Sequence, residues 1–106
     1  MIGNWIKKLL GMPDSNELKS FLERKAIIID VRTPAEFKEG NVKGSLNIPL
    51  DKIGAQVSKI KTMQKPIIVC CRSGARSGQA ASMLKSSGIE VVNGGPWQNV
   101  AAAIKA

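Results

Sequence analysis

One α/β domain, a central parallel sheet of four to five strands with helices on both faces, is the fold this chain predicts. Three observations point to it. The runs at 26–31 and 66–70 are β-branched and apolar without alternating polar positions, as strands covered on both faces are. Segments of helical spacing separate the strands, and that rhythm implies parallel pairing through right-handed crossovers. With 106 residues, 43% of them hydrophobic, there is material for one core and no room for a second domain.

The elements follow in order. Residues 1–12 place Ile2, Trp5, Ile6, Leu9 and Leu10 at helical spacing, with Asn4, Lys7 and Lys8 mostly on other faces. This amphipathic segment is expected to pack on the domain or on a partner, in preference to a membrane surface. It is too short to span a bilayer and lacks the apolar region and cleavage site of a signal peptide. Gly11, Met12 and Pro13 break the pattern, and the domain proper is taken as 13–106. A fifth strand, if present, would be a short edge near Met12.

Asp14 and Glu17 have capping-box spacing, and Leu18, Phe21 and Leu22 give the next helix an apolar face, ending near Lys25. After the strand at 26–31, Thr33, Pro34 and Glu36 combine an N-cap hydroxyl, a proline at the first helical position and a capping acid. That short helix stops at Gly40. A strand is predicted over 45–48, closed by Pro49, and a helix over 51–61 on Ile53, Val57 and Ile60. The strand at 66–70, a helix at 75–87 ending at Gly88, a strand at 89–92, a loop at 93–96 and a helix at 97–104 complete the chain.

The formal charge is +8, which raises nucleic acid, anionic membranes and anionic small molecules as partners. Distribution narrows the choice. Twelve lysines are scattered, whereas two of four arginines, Arg72 and Arg76, fall within one short loop. No basic helix carries interleaved aromatics, so no nucleic-acid partner is expected. Histidine is absent, which excludes a Cys-His pair, a Ser-His-Asp triad and histidine-ligated metals. The two cysteines are adjacent and form neither a disulfide framework nor a four-ligand zinc site.

The loop at Cys71 is the chemical centre. Cys71-Arg72-Ser73-Gly74-Ala75-Arg76-Ser77 follows a buried strand and opens a helix. A thiol at the base of such a loop faces backbone N–H groups and the positive end of the helix, which favour the thiolate. Cys70 continues the apolar strand and reads as an inert core residue. Asp30 and Arg32 are expected to support the neighbouring loop as an ion pair, and Trp97 to pack near the pocket wall.

The chain from about Asp14 onward resembles the rhodanese family. Asp30-Val31-Arg32-Thr33-Pro34-Ala35-Glu36-Phe37 looks like its first signature, and Gly40 to Pro49 continues it. The Cys71 segment is similar to the active loop, and Gly94-Gly95 with Trp97 resembles the closing signature. Asn41 stands where the family commonly has a histidine. The resemblance implies a rhodanese-like fold and a sulfurtransferase that needs no cofactor or metal. Cys71 would take sulfur from a small anionic donor such as thiosulfate, or from a persulfide, and pass it to a thiol or protein acceptor. Backbone N–H groups from Arg72 to Ser77 would bind the persulfide, and Arg72 or Arg76 the donor's oxyanion.

Three alternatives stand beside this reading: a protein-fed persulfide carrier, a non-catalytic binding module, and a cysteine-dependent phosphatase or arsenate reductase. The last ranks lowest because phosphatase loops have the form Cys-x5-Arg, whereas only four residues separate Cys71 from Arg76. A reactive unpaired thiol fits a reducing cytoplasm.

Overall fold

A computed structural model describes residues 15–105; the amphipathic segment 1–12 and the expected cap at Asp14 lie outside them. The elements are α1 (Ser15–Glu23), β1 (Ile27–Asp30), α2 (Pro34–Glu39), β2 (Leu46–Asn47), α3 (Leu50–Thr62), β3 (Ile67–Cys71), α4 (Ala75–Ser86), β4 (Val91–Pro96) and α5 (Trp97–Lys105). Among the described residues the four strands are all parallel, in the order β2-β1-β3-β4, and the edge strand considered near Met12 lies outside them. From β1 the chain moves to one side to form β2, then returns to place β3 on the other side. The carboxyl ends of β1 and β3 therefore flank the crevice where sheets of this kind place their sites.

Strand alternation sorts the core into two layers. Ile29, Ile67, Val69 and Cys71 face Ile53 and Ile60 of α3 and Ala80 and Leu84 of α4. Ile28, Ile68, Cys70 and Val92 face Leu18 and Phe21 of α1 and Val100 of α5. Each fully buried aliphatic side chain contributes about 1.5–3 kcal/mol, so the sheet is anchored from both sides. The two adjacent cysteines consequently enter opposite layers, and both are fully buried.

The α2 cap forms as the sequence predicts. Thr33 caps the helix, its hydroxyl accepting the Glu36 N–H while Glu36 accepts the Thr33 N–H, and Pro34 opens the first turn. Asn41 donates its side-chain amide to the Phe37 carbonyl at 2.8 Å, closing the other end.

Several element ends shift by one or two residues, β4 among them in beginning at Val91 and not at Ile89, and two further changes at the ends of β3 and β4 have one reason. The segment 93–96 is not a loop but the last four of the six residues of β4, and β3 extends one residue further, to Cys71, which pairs with Pro96. The register jumps from Val69↔Asn93 to Cys70↔Gly95, leaving Gly94 as the extra residue of a bulge. A Cβ on Gly94 would lie 2.6 Å from Val100 Cγ2 and 2.9 Å from Ile68 Cγ2. The double glycine thus lets α5 close on the sheet instead of marking a turn. Among the described residues, no helix is long and apolar enough to cross a membrane.

Candidate active site

Cys71 ends β3 at the carboxyl edge of the sheet, and three residues later Gly74 becomes the N-cap of α4. Gly74 has φ 102°, a left-handed conformation open to glycine at little cost. That bend turns its N–H back onto Cys71, donating to Sγ at 3.0 Å. The sulfur also lies 3.3 Å from Ser77 Oγ, one turn into α4, at the positive end of a twelve-residue helix.

Two opposing effects act on this thiol. Burial pushes it up, but the Ser77 hydroxyl and the backbone N–H groups of Ser77, Gly74 and Ser73 outweigh burial and hold it below the ordinary value. On the other side of the strand, burial pushes Cys70 up to about 12, helped by the nearby Asp30 carboxylate. Cys71 is the thiol that ionises readily.

The seven loop residues are brought together but do different things. Arg72 and Ser73 are exposed, with the Ser73 hydroxyl accepting the Ala75 N–H at 3.3 Å. Ala75 is exposed on the first turn of α4, while Gly74 and Ser77 are buried beside the sulfur. Arg76 is half-buried and turned to a partner on another helix. Its two terminal nitrogens grip Glu36 of α2 at 2.7 and 2.9 Å. That contact and the Thr33 cap hold the Glu36 carboxyl down at about 2. Arg72 makes no ion pair among the described residues, whereas Arg76 is held by Glu36.

Asp30 and Arg32 form the expected supporting pair. Arg32 Nη2 meets Asp30 Oδ2 at 2.7 Å, with both side chains almost wholly buried. The same guanidinium donates to the Glu36 and Gly40 carbonyls and lies 5.1 Å from the Trp97 ring centre. It thereby fixes α2, the helix that receives Arg76, against the sheet.

Sequence reasoning missed two residues. Glu36 was visible only as a capping acid, because its contact with Arg76 spans 40 positions. Asn93 was read as a loop residue, yet it is fully buried and bonded to both Ser77 and Gly74. The available signal was an amide directly after the apolar pair Val91-Val92 and before two glycines.

Comparison with known proteins decides the family. The profile of the Rhodanese-like domain matches residues 14–99. The chain belongs to that family. The uncharacterized protein YqhL of Bacillus subtilis is 43% identical over 65 residues, covering 61% of this chain and 51% of that protein. The chain thus spans about half the length of that relative. Thiosulfate sulfurtransferase PspE of Escherichia coli is 32% identical over 75 residues, covering 69% of this chain and 72% of PspE. A solved rhodanese from E. coli, determined with anions, superposes with a TM-score of 0.64 at 30% identity, over 70% of this chain and 89% of that one. This rhodanese-like chain is therefore similar in fold to a solved rhodanese and in sequence to a named sulfurtransferase.

Proposed function

We propose that this chain is a sulfurtransferase in which Cys71 carries the sulfur. The Cys71 thiolate attacks the outer sulfur of thiosulfate; the bond between the two donor sulfurs breaks and sulfite leaves with the electron pair. Cys71 is left as the persulfide anion. An acceptor thiolate then attacks the terminal sulfur, and the Cys71 thiolate departs. Both steps are displacements at sulfur with no net redox change, so ping-pong kinetics follow.

The observation that carries this reading is the 3.0 Å bond from the Gly74 N–H to the Cys71 sulfur at the start of α4. It supplies the thiolate without histidine, and the same end of the helix suits a terminal persulfide anion. Because the thiol is fully covered, a donor reaches it only when the loop parts, and Arg72 and Ser73 form the exposed side of that loop. The Arg76–Glu36 pair also weighs against phosphatase chemistry. An arginine bound edge-on to a carboxylate has its fork occupied, whereas a phosphate cradle needs that fork for the substrate. Mass spectrometry after thiosulfate treatment tests the reading: wild type gains one sulfur atom and Cys71→Ser gains none. A wild type that takes sulfur only from a persulfidated protein would make the chain a carrier.

A further inference from the structure

A closed ring of hydrogen bonds surrounds the sulfur, and its farthest member belongs to another strand. Gly74 N–H donates to Cys71 Sγ, Asn93 Nδ2 donates to the Gly74 carbonyl at 2.9 Å, Ser77 Oγ donates to Asn93 Oδ1 at 2.6 Å, and Ser77 Oγ lies 3.3 Å from the sulfur. We propose that Asn93 is the positioning residue of this site: its carboxamide holds Gly74 and Ser77, and through them aims an N–H and an O–H at the Cys71 sulfur. The inference rests on Cys71 being the reacting thiol of the proposed function.

The roles of the two carboxamide ends follow from donor and acceptor counting. Since Nδ2 donates to Gly74, Oδ1 is the accepting end, and it receives both the Ser77 hydroxyl and the Gly95 N–H, the latter at 2.9 Å. Ser77 has one proton and two acceptors. While Cys71 is a thiol, S–H donates to Ser77 Oγ and Ser77 donates to Asn93. When Cys71 ionises, the Ser77 proton turns to the sulfur, because a hydrogen bond to an anion is roughly twice as strong as one between neutral groups. Asn93 Oδ1 is not left bare by that move, since Gly95 still serves it.

Asn93 therefore acts on the thiolate in two opposed ways. Oδ1 competes for the Ser77 proton, and Nδ2 keeps Gly74 in the bend that points its N–H at the sulfur. The second effect governs the proposal, because the same contact sets the helix end whose Ser77 and Gly74 N–H groups both face the sulfur. The Gly74 carbonyl also accepts the Gly78 N–H that begins α4, so the Asn93 contact fixes the sulfur's donor and the helix end together. Tying α4 to the bulge of β4 also explains why an amide sits in an otherwise apolar strand while, among the described residues, every buried side-chain nitrogen and oxygen has a hydrogen-bond partner.

The pH dependence of alkylation reads this directly, because Asn93 and Ser77 do not titrate. The charged or titratable groups around Cys71 are Cys70 on its own strand, Arg72 next to it in the loop, Asp30 and Arg32 by β1, and Arg76 of α4 with Glu36 of α2. Of these, Cys70 at about 12 and Glu36 at about 2 titrate outside a scan from about pH 5 to about pH 9.

In the full chain, iodoacetamide alkylation of Cys71 should have its midpoint raised by about one pH unit in Asn93→Ala and by more in Asn93→Asp, which puts a carboxylate against the Gly74 carbonyl. A folded Asn93→Ala whose midpoint stays in place or falls would overturn the assignment and leave Asn93 a packing residue. Should neither variant fold, the wild type decides. The Asn93 side-chain amide resonance should titrate with the alkylation midpoint, and an amide signal that stays flat through that midpoint sinks the proposal. Sulfur transfer is judged separately: a wild type with the depressed midpoint that gains no sulfur from any donor would end that reading and leave this one standing.

Discussion

Cys70 faces α1 and α5, among Leu18, Phe21 and Val100, whereas Cys71, one residue further along β3, faces α4 at its first turn. Both have no exposed surface, so burial does not separate them. What separates them is the donors on each side. Cys71 meets an N–H, a hydroxyl and the end of a helix; Cys70 meets hydrocarbon and, nearby, the Asp30 carboxylate. The pleat of one strand holds one thiol below its ordinary value and pushes the other above it, and the contrast teaches that thiol ionisation follows the donors that face the sulfur more than solvent access.

The largest effect expected from this contrast is on the chemistry itself. Cys71→Ser should abolish persulfide formation, while Cys70→Ala should keep a rate within about threefold of wild type and lose only packing, about 1–2 kcal/mol in urea denaturation. A sulfur adduct surviving on Cys71→Ser would move the reacting thiol to the other face of the sheet.

Next in size is the ion pair beside Cys70. Asp30→Ala leaves the Arg32 guanidinium buried without its carboxylate, and breaking such a pair costs about 3–5 kcal/mol, a large part of a domain's total. Chemical denaturation should show that loss, while the fraction that remains folded still forms the persulfide. If Asp30→Ala were as stable as wild type but chemically dead, Asp30 would belong to the site and not to its support.

These residues show why the sequence was legible in some places and opaque in others. The fold class, the helices of both layers and the loop around Cys71 follow from periodicity and local caps, which are encoded within a few residues. The partners of Glu36, Arg76 and Asn93 are 40, 40 and 16 positions away, and no local pattern records such a distance. The double glycine misled for a related reason. Gly-Gly followed by proline has the composition of a turn, and only the approach of Val100 of α5 reveals that Gly94 is needed for lack of space, while Gly95 takes a left-handed φ of 77°.

A smaller effect should divide the two loop arginines. Arg72 is exposed, so its attraction for a divalent donor is screened by solvent and salt. Arg72→Ala should lower kcat/KM for thiosulfate about five- to tenfold at low salt, chiefly through KM, with the gap closing as salt rises. Arg76→Ala should act less on KM, because its guanidinium already serves Glu36. Equal, salt-insensitive losses in both variants would show that the two arginines act through the loop's structure and not through the donor's charge.

The smallest effect, and the most specific to the Arg76 tether, lies in acid. Glu36 titrates at about 2 in the folded chain against an ordinary value of 4.5. A carboxyl with a depressed folded value gives stability that is fully present above its unfolded value and is lost as pH falls through its folded one. The contribution of the pair should therefore be intact above about pH 4.5 and disappear on the way down to about 2. Glu36→Gln cannot titrate there, so the difference in melting temperature between wild type and variant should shrink across that window and vanish at its foot. The pair is half-exposed, so the difference should amount to no more than a few degrees. The absence of any gap above about pH 4.5 would mean that Glu36 stabilises through its cap on Thr33, which an amide oxygen can imitate, and that the grip on Arg76 adds nothing to the stability of the loop.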